Sequence, residues 1–226
     1  MSDRPAAAAF FRVEGALLRP TAMSAPAYFA LNTQAVKSRL TRLGGVAIAS
    51  GMRLAGSLGE QAVVQKLAWM GLRGMGHDRL AVLGDEYYHR FVLPNLKSVG
   101  LDLVARARKD GLRVVLLSEL LDVVVAPLRD HVGADELLCN RLEMRDDEAT
   151  GRLLDPVVGG PVSGQWARTF AAERGLDLAR SQGFGARGVD GLLLSAVGLP
   201  CAVDPDPRLR RMAKDLDWPV VQSGTR

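Results

Sequence analysis

The sequence predicts an α/β fold: a parallel sheet covered by helices on both faces, with an all-helical insert directly after the first strand. Three observations predict it. Residues 7–13 and 113–118 are short apolar runs without polar alternation, as strands buried on both faces require. From residue 95 to 222 strand-like and helix-like segments alternate, which is the pattern of a parallel sheet with crossover helices. Between residues 25 and about 93, by contrast, the texture is helical, rich in Ala, Leu, Met and Gly, with no Val/Ile run set between turn signals.

The elements follow in order. The first strand, residues 7–13, runs into Glu14-Gly15-Ala16, a Gly-containing turn. Pro20 closes this segment, and residues 21–94 make the insert, with three or four helices. Its middle, residues 44–75, is apolar and rich in small residues, but Arg53, Glu60, Lys66 and Arg73 interrupt it. A membrane span needs about 20 unbroken apolar residues, so a buried helix pair is the simpler expectation and docking on a membrane or partner the sharper one. The core resumes at residue 95, giving 1–20 and 95–226 as one unit. Residues 95–110 read as an amphipathic helix stopped by Gly111. A strand at 113–118 and a helix at 120–131 come next. Residues 135–154 alternate around a polar centre and predict a hairpin or edge excursion. Then come a helix at 164–175, a weak strand ending at Gly183-Phe184-Gly185, a helix at 190–197 and a strand at 200–204. A helix over 206–216, opened by Pro207, and a last short strand at 218–222 complete the chain.

Composition bounds the function. With 226 residues and 48% hydrophobic side chains, the chain has ample material for one core plus an insertion. The net charge is +4, but the basic runs at 106–109 and 208–211 are short, sit on helix patterns and lack aromatic interleaving. They read as solvated faces, which argues against nucleic acid. Cys139 and Cys201 lie far apart and follow apolar residues, as buried thiols do. No signal-peptide pattern is visible, so a cytoplasmic setting is the expectation. His77, His89 and His131 share no metal-ligand spacing. Ser24, Ser118 and Ser195 lack a nucleophile-elbow context.

Ligands of parallel sheets sit at the carboxyl ends of strands. Here those ends are residues 12–16, Ser118, residues 185–190 and Asp204. Together they carry Phe11-Arg12-Val13-Glu14-Gly15-Ala16, Leu117-Ser118, Ser163-Gly164-Gln165 and Gly185-Ala186-Arg187-Gly188-Val189-Asp190, followed by the tail Ala202-Val203-Asp204-Pro205-Asp206-Pro207. In that order they resemble the haloacid dehalogenase superfamily, in its phosphoserine-phosphatase-like branch with a helical cap. The resemblance covers nearly the whole chain. It implies a Rossmann-like (Rossmannoid) core, a cap over residues 21–94, and a magnesium-dependent phosphatase chemistry through an aspartyl-phosphate.

The catalytic motifs are degenerate. Where the family has its nucleophilic Asp, this chain has Arg12, which offers no lone pair at neutral pH. Glu14 stands for the acid/base Asp, Ala16 for a Thr, Gln165 for the phosphate-binding Lys, and Ala186 for a carboxylate on the magnesium side; only Ser118 and Asp190 match. A buried arginine needs carboxylate partners, and Asp190 and Glu14 are the expected ones. Glu119 adds negative charge where the family usually binds phosphate. Trp69, Tyr87, Tyr88 and Phe91 form an aromatic group in the cap. With Ser118, the first three are candidate ligand contacts. The reading is an inactive pseudophosphatase without metal or cofactor, acting on an unidentified protein partner through its cap or former cleft. A small phosphorylated ligand or a membrane surface is the other possible contact. The alternatives are a phosphomonoester hydrolase with an atypical site, which alone would call for magnesium, and a membrane-surface accessory protein.

Overall fold

A computed structural model describes residues 6–32, 61–159 and 162–224. Six strands form one parallel sheet in the order β3-β2-β1-β6-β7-β8: β1 (Ala8–Arg12), β2 (Arg113–Leu121), β3 (Glu136–Asn140), β6 (Gln182–Gly185), β7 (Leu199–Val203) and β8 (Val220–Val221). β1 is central and every residue in it is buried. Its side chains alternate between two cores, as the strand period of two demands. Ala9 and Phe11 join one cluster with Val104, Val124 and Leu128, while Ala8 and Phe10 join another with Ala167, Phe170 and Leu193. The first cluster is closed by α4 (Ser98–Lys109) and α5 (Asp122–Val132), the second by α6 (Val162–Arg174) and α7 (Gly191–Leu194). Phe11 stacks on Phe184 of the neighbouring strand at 4.3 Å between ring centres, and Phe10 meets Phe170 edge-on. A sheet covered on both faces is therefore the observed architecture, and α8 (Pro207–Asp215) completes it beside β7.

The insert contains α1 (Ala25–Leu31), α2 (Gln61–Met70) and α3 (His77–Tyr87), the last prolonged by a wider turn over Tyr88–Val92 and a tight one over Leu93–Asn95. Residues 44–60 of the apolar stretch, with Arg53 and Glu60, lie outside the described residues. Among the described residues no helix is long and apolar enough to cross a membrane. The two passes between core and insert lie side by side: Arg19 donates to the Asn95 carbonyl at 3.0 Å and Lys97 to that of Leu17 at 2.8 Å.

Several expected boundaries move. The helix expected from residue 95 begins at Ser98, because Leu93–Asn95 forms its own turn and Leu96 is extended. The strand expected to stop at Ser118 continues to Leu121, with a register shift against β3. The helix expected over 190–197 shrinks to Gly191–Leu194 behind a tight turn at Gly188–Asp190. The expected excursion at 135–154 divides in two. β3 joins the main sheet at its edge, and β4 (Leu142–Arg145) and β5 (Glu148–Leu153) make a separate hairpin. Asp146 and Asp147, at φ 49° and 64°, supply its turn in the left-handed region that two-residue hairpin loops favour. That hairpin grips the insert through backbone bonds, Gly74 to Ala149 at 2.8 Å, Ala149 to Met75 at 2.9 Å and His77 to Asp147 at 3.0 Å.

Insert and core also meet where α3 crosses the start of α5. A Cβ on Gly84 would lie 2.2 Å from the Val123 carbonyl oxygen. An unpacked helical glycine gains roughly 1 kcal/mol on becoming alanine. Gly84→Ala is instead expected to lose about 1–3 kcal/mol through overpacking, read as a lower urea midpoint with an unchanged slope.

Candidate functional site

The strand ends converge as the topology requires. β1 ends in Arg12, and the chain then closes a single wide turn over Val13–Leu17, with Leu18 donating to the Val13 carbonyl at 2.8 Å. Gly15 sits in this turn at φ +96°, so close to the β6 loop that a Cβ there would come within 2.6 Å of the Ala186 Cβ. β2 delivers Ser118 and Glu119, and the loop after β6 delivers Ala186, Arg187 and Asp190.

Arg12 is completely buried. Its Nε donates to Asp190 Oδ1 at 3.0 Å and its Nη2 to Glu119 Oε1 at 2.8 Å, while Glu14 Oε2 stands 3.7 Å from Nη2. A second guanidinium joins from the loop: Arg187 Nη2 donates to the same Glu119 oxygen at 2.6 Å and lies 3.8 Å from Asp190 Oδ1. Two cations thus face three carboxylates. Burial works against the charge of Arg187, but Glu119, Asp190 and Glu14 outweigh it and hold the guanidinium protonated beyond its ordinary range. The other oxygen of Asp190 accepts from the Ala186 and Arg187 amides at 3.0 and 2.9 Å.

Both expected partners face Arg12, Asp190 through a hydrogen bond and Glu14 as a looser ion pair at 3.7 Å, and Glu119 joins them as a second close partner. Glu14 is drawn away, because its Oε1 accepts from the Ser118 hydroxyl at 2.6 Å and from the Glu119 amide at 2.9 Å. The same bond corrects the view of Ser118 as a ligand contact: it is fully buried, donates to Glu14 and accepts from the Leu120 amide at 3.1 Å. Gln165 is exposed on the first turn of α6 and has no part in the ion-pair network. Arg187 was missed. Its spacing of three residues from Asp190, next to a lost carboxylate, was the available signal.

The donor set does not fit a magnesium ion, which wants near-octahedral oxygen ligation. Arg12 occupies Asp190 Oδ1, both guanidiniums occupy Glu119 Oε1, backbone amides occupy Asp190 Oδ2, and Ala186 has no side-chain oxygen. Among the described residues no group of three or more His, Cys, Asp or Glu side chains is placed to hold a metal.

Above the knot lies a cleft of about 460 Å³ between insert and core, walled by Leu18, Pro26, Trp69, Tyr87 and Leu120 and floored by Glu14, Glu119 and Arg187. Tyr87 presents its ring, since its hydroxyl already donates to the Met23 carbonyl at 2.7 Å. Trp69 packs edge-on against Phe29, and its indole N–H has no hydrogen-bond partner. Tyr88 does not line the cleft; it is buried against His89, so its expected role as a ligand contact is corrected. Lys97, also in the wall, is held by Asp204 at 2.8 Å.

Two outcomes follow. Arg12→Met removes the Nε donor of the buried Asp190 and leaves Glu119 to Arg187 alone, and is expected to lose about 3–5 kcal/mol; Asp190→Asn added to it is expected to return part of that loss in urea titrations. Asp204 is the second. Burial raises its pKa, but the Lys97 and Ser223 hydrogen bonds outweigh this and bring it to about 2 from 3.8. A depressed carboxylate pKa stabilises the fold above the unfolded value and is lost as pH falls. The contribution, about 2 kcal/mol, is expected to fade between pH 4 and 2, and Asp204→Asn is expected to abolish that part of the pH dependence.

Comparison with known proteins agrees with this architecture. The family description "haloacid dehalogenase-like hydrolase" matches residues 9–190. Among curated relatives, the inhibition of morphological differentiation protein of Streptomyces azureus is 29% identical over 149 residues, covering 66% of this chain and 54% of that protein. Phosphoserine phosphatase SerB1 of Mycobacterium tuberculosis is 26% identical over 149 residues, covering 66% of this chain and 48% of that protein. The chain therefore spans about half the length of these two relatives. Among solved structures, a Bordetella pertussis Tohama I protein of unknown function superposes with a TM-score of 0.80 at 21% identity, covering 96% of this chain and 99% of that one. A phosphoserine phosphatase captured as a phospho-aspartyl intermediate analogue superposes with a TM-score of 0.69 at 15% identity, covering 98% and 95%. The parallel sheet, the helical insert after β1 and a family match running from β1 through Asp190 lead to one conclusion: the chain belongs to the haloacid dehalogenase-like hydrolase family.

Proposed function

We propose that this chain is a haloacid dehalogenase-family pseudophosphatase, which keeps the fold, has given up aspartyl-phosphate chemistry and acts by binding. The observation that carries the reading is the fully buried Arg12, fixed by Asp190 and Glu119 at the strand end where the family resemblance calls for a nucleophilic carboxylate. A guanidinium cannot attack phosphorus, and it repels a divalent cation. Two unit charges of like sign about 4 Å apart oppose each other by roughly 4 kcal/mol per charge product at an effective dielectric near 20. The chain then works through the cleft or the face of its insert, on a protein partner or a small ligand, and needs no metal.

A second reading has its own support. Relatives carry phosphatase names, and Glu14 lines the cleft with one carboxylate oxygen, Oε2, that has no hydrogen-bond partner. A carboxylate so placed can exchange a proton with a leaving oxygen, which keeps an atypical phosphomonoester hydrolase in view.

Hydrolysis of p-nitrophenyl phosphate separates the two. The expected result is no magnesium-dependent turnover above buffer, unchanged in Glu14→Gln. Turnover that rises with magnesium and disappears in Glu14→Gln or Asp190→Asn overturns the pseudophosphatase reading.

A further inference from the structure

We propose that the outward face of α8 docks on an anionic lipid bilayer, with Arg208, Arg210, Arg211 and Lys214 meeting the headgroups and Leu216 and Val220 entering the interface. The proposal concerns a surface apart from the cleft and stands whether or not the chain hydrolyses phosphate esters.

The order of residues makes the face. α8 is opened by Pro207 and capped by Asp206, whose Oδ1 accepts from the Leu209 amide at 2.7 Å. Leu209 and Ala213, four residues apart, form its buried side and pack with Leu194 and Ala202. That rotation turns Arg208, Arg210, Arg211 and Lys214 to water, and all four are exposed. Arg208 and Arg211, Arg211 and Lys214, and Arg210 and Lys214 are neighbours on the helix surface, so like charges repel along its length. Arg208 also stands in the first turn, at the positive end of the helix dipole.

The protein does not answer this charge. Among the described residues none of the four side chains makes an ion pair or a hydrogen bond. On other faces Arg129, Arg152 and Arg174 have Asp130, Glu143 and Glu136 at 2.9, 2.8 and 2.7 Å. The exposed acids nearest in sequence, Asp215 and Asp217, lie at the C-terminal end of α8. Asp206, at the other end, is engaged by the Leu209 and Gly188 amides. An anionic surface outside the protein relieves the repulsion.

Apolar side chains at one end select a bilayer among such surfaces. Leu216, directly after the helix, is 52% exposed and Val220 43%. Val220 is registered with Ala202, which packs with Leu209 and Ala213, so its side chain points to the α8 side of the sheet. Between them the chain folds back, with the Trp218 amide donating to the Ala213 carbonyl at 2.8 Å and the half-buried indole packed on the same cluster. Cations beside exposed apolar residues and a tryptophan suit a membrane interface, and each Lys or Arg adds attraction to anionic headgroups. Nucleic acid offers the cations phosphates but gives Leu216 and Val220 nothing to enter.

The test is co-sedimentation of the full chain with phosphatidylcholine vesicles, with and without about 30% phosphatidylserine. The expected result is binding at least roughly tenfold tighter to the anionic vesicles, weakened as salt rises from about 0.1 to 0.5 M. Arg210→Gln, Arg211→Gln and Lys214→Gln together are expected to weaken it at least roughly tenfold with an unchanged urea midpoint, while Arg210→Lys with Arg211→Lys keeps it. Leu216→Ser is expected to weaken binding without changing its salt dependence. Equal binding to both vesicles, no binding to the anionic ones, or a triple variant that binds as the wild type does overturns the proposal. Binding of duplex DNA or poly-L-glutamate through the same three cations, with no preference for anionic vesicles, also overturns it and gives the face to a different polyanion.

Discussion

A guanidinium with no exposed surface at the end of the central strand is the constraint around which the neighbouring loops are arranged. Arg12 cannot lose its proton and cannot reach water, so its charge must be met where it lies. Asp190 meets it from the loop after β6 and Glu119 from the far end of β2. Each partner is in turn anchored, Asp190 by two backbone amides and Glu119 by Arg187. Three strand ends are therefore tied through one side chain. The bridge is a planar guanidinium fork, fixed between Asp190 and Glu119.

This bridge has consequences for the rest of the site. A buried ion pair gives little net stability compared with apolar packing, but removing one member is costly. The knot thus maintains loop geometry more than it raises stability. The geometry it maintains includes the close approach of Gly15 to Ala186, which leaves no room for a side chain at Gly15. Glu14, outside the closest pairing, turns one oxygen toward Ser118 and the Glu119 amide and keeps the other 3.7 Å from Arg12 Nη2. The hairpin β4–β5 meanwhile holds the insert over the cleft by backbone hydrogen bonds. The site is a cleft set above two guanidiniums and three carboxylates.

Much of this was legible in the residues. The unbroken apolar runs around Phe10-Phe11 and Val114-Val115 announce strands covered on both faces, and the alternation of their side chains between two cores follows. The pairing of Arg12 with Asp190 was legible because a buried cation at a strand end limits the choices to carboxylates on adjacent loops. Glu119 was harder. The apolar run of β2 ends at Leu117, yet the pairing with β3 carries the strand past a register shift to Leu121, and that shift decides where Glu119 falls. Arg187 depends on a tight turn over Gly188–Asp190 that folds its side chain back onto the floor. Tyr87 and Tyr88 are neighbours in sequence, and only the rotation of the helix end sends one ring to the cleft and the other into packing. Ser118 keeps the residue type of the family motif but not its availability, because the longer Glu14, two residues beyond Arg12, claims the hydroxyl.

The most direct measurement is a crystal structure of the wild-type protein soaked with magnesium and beryllium fluoride, which together imitate a phosphorylated aspartate. The account predicts no metal and no fluoride adduct at the end of β1, with the Arg12 guanidinium still seated between Asp190 and Glu119. A magnesium ion coordinated by Asp190, with Arg12 swung out of the strand end and a beryllium adduct on Glu14 or Glu119, would contradict it.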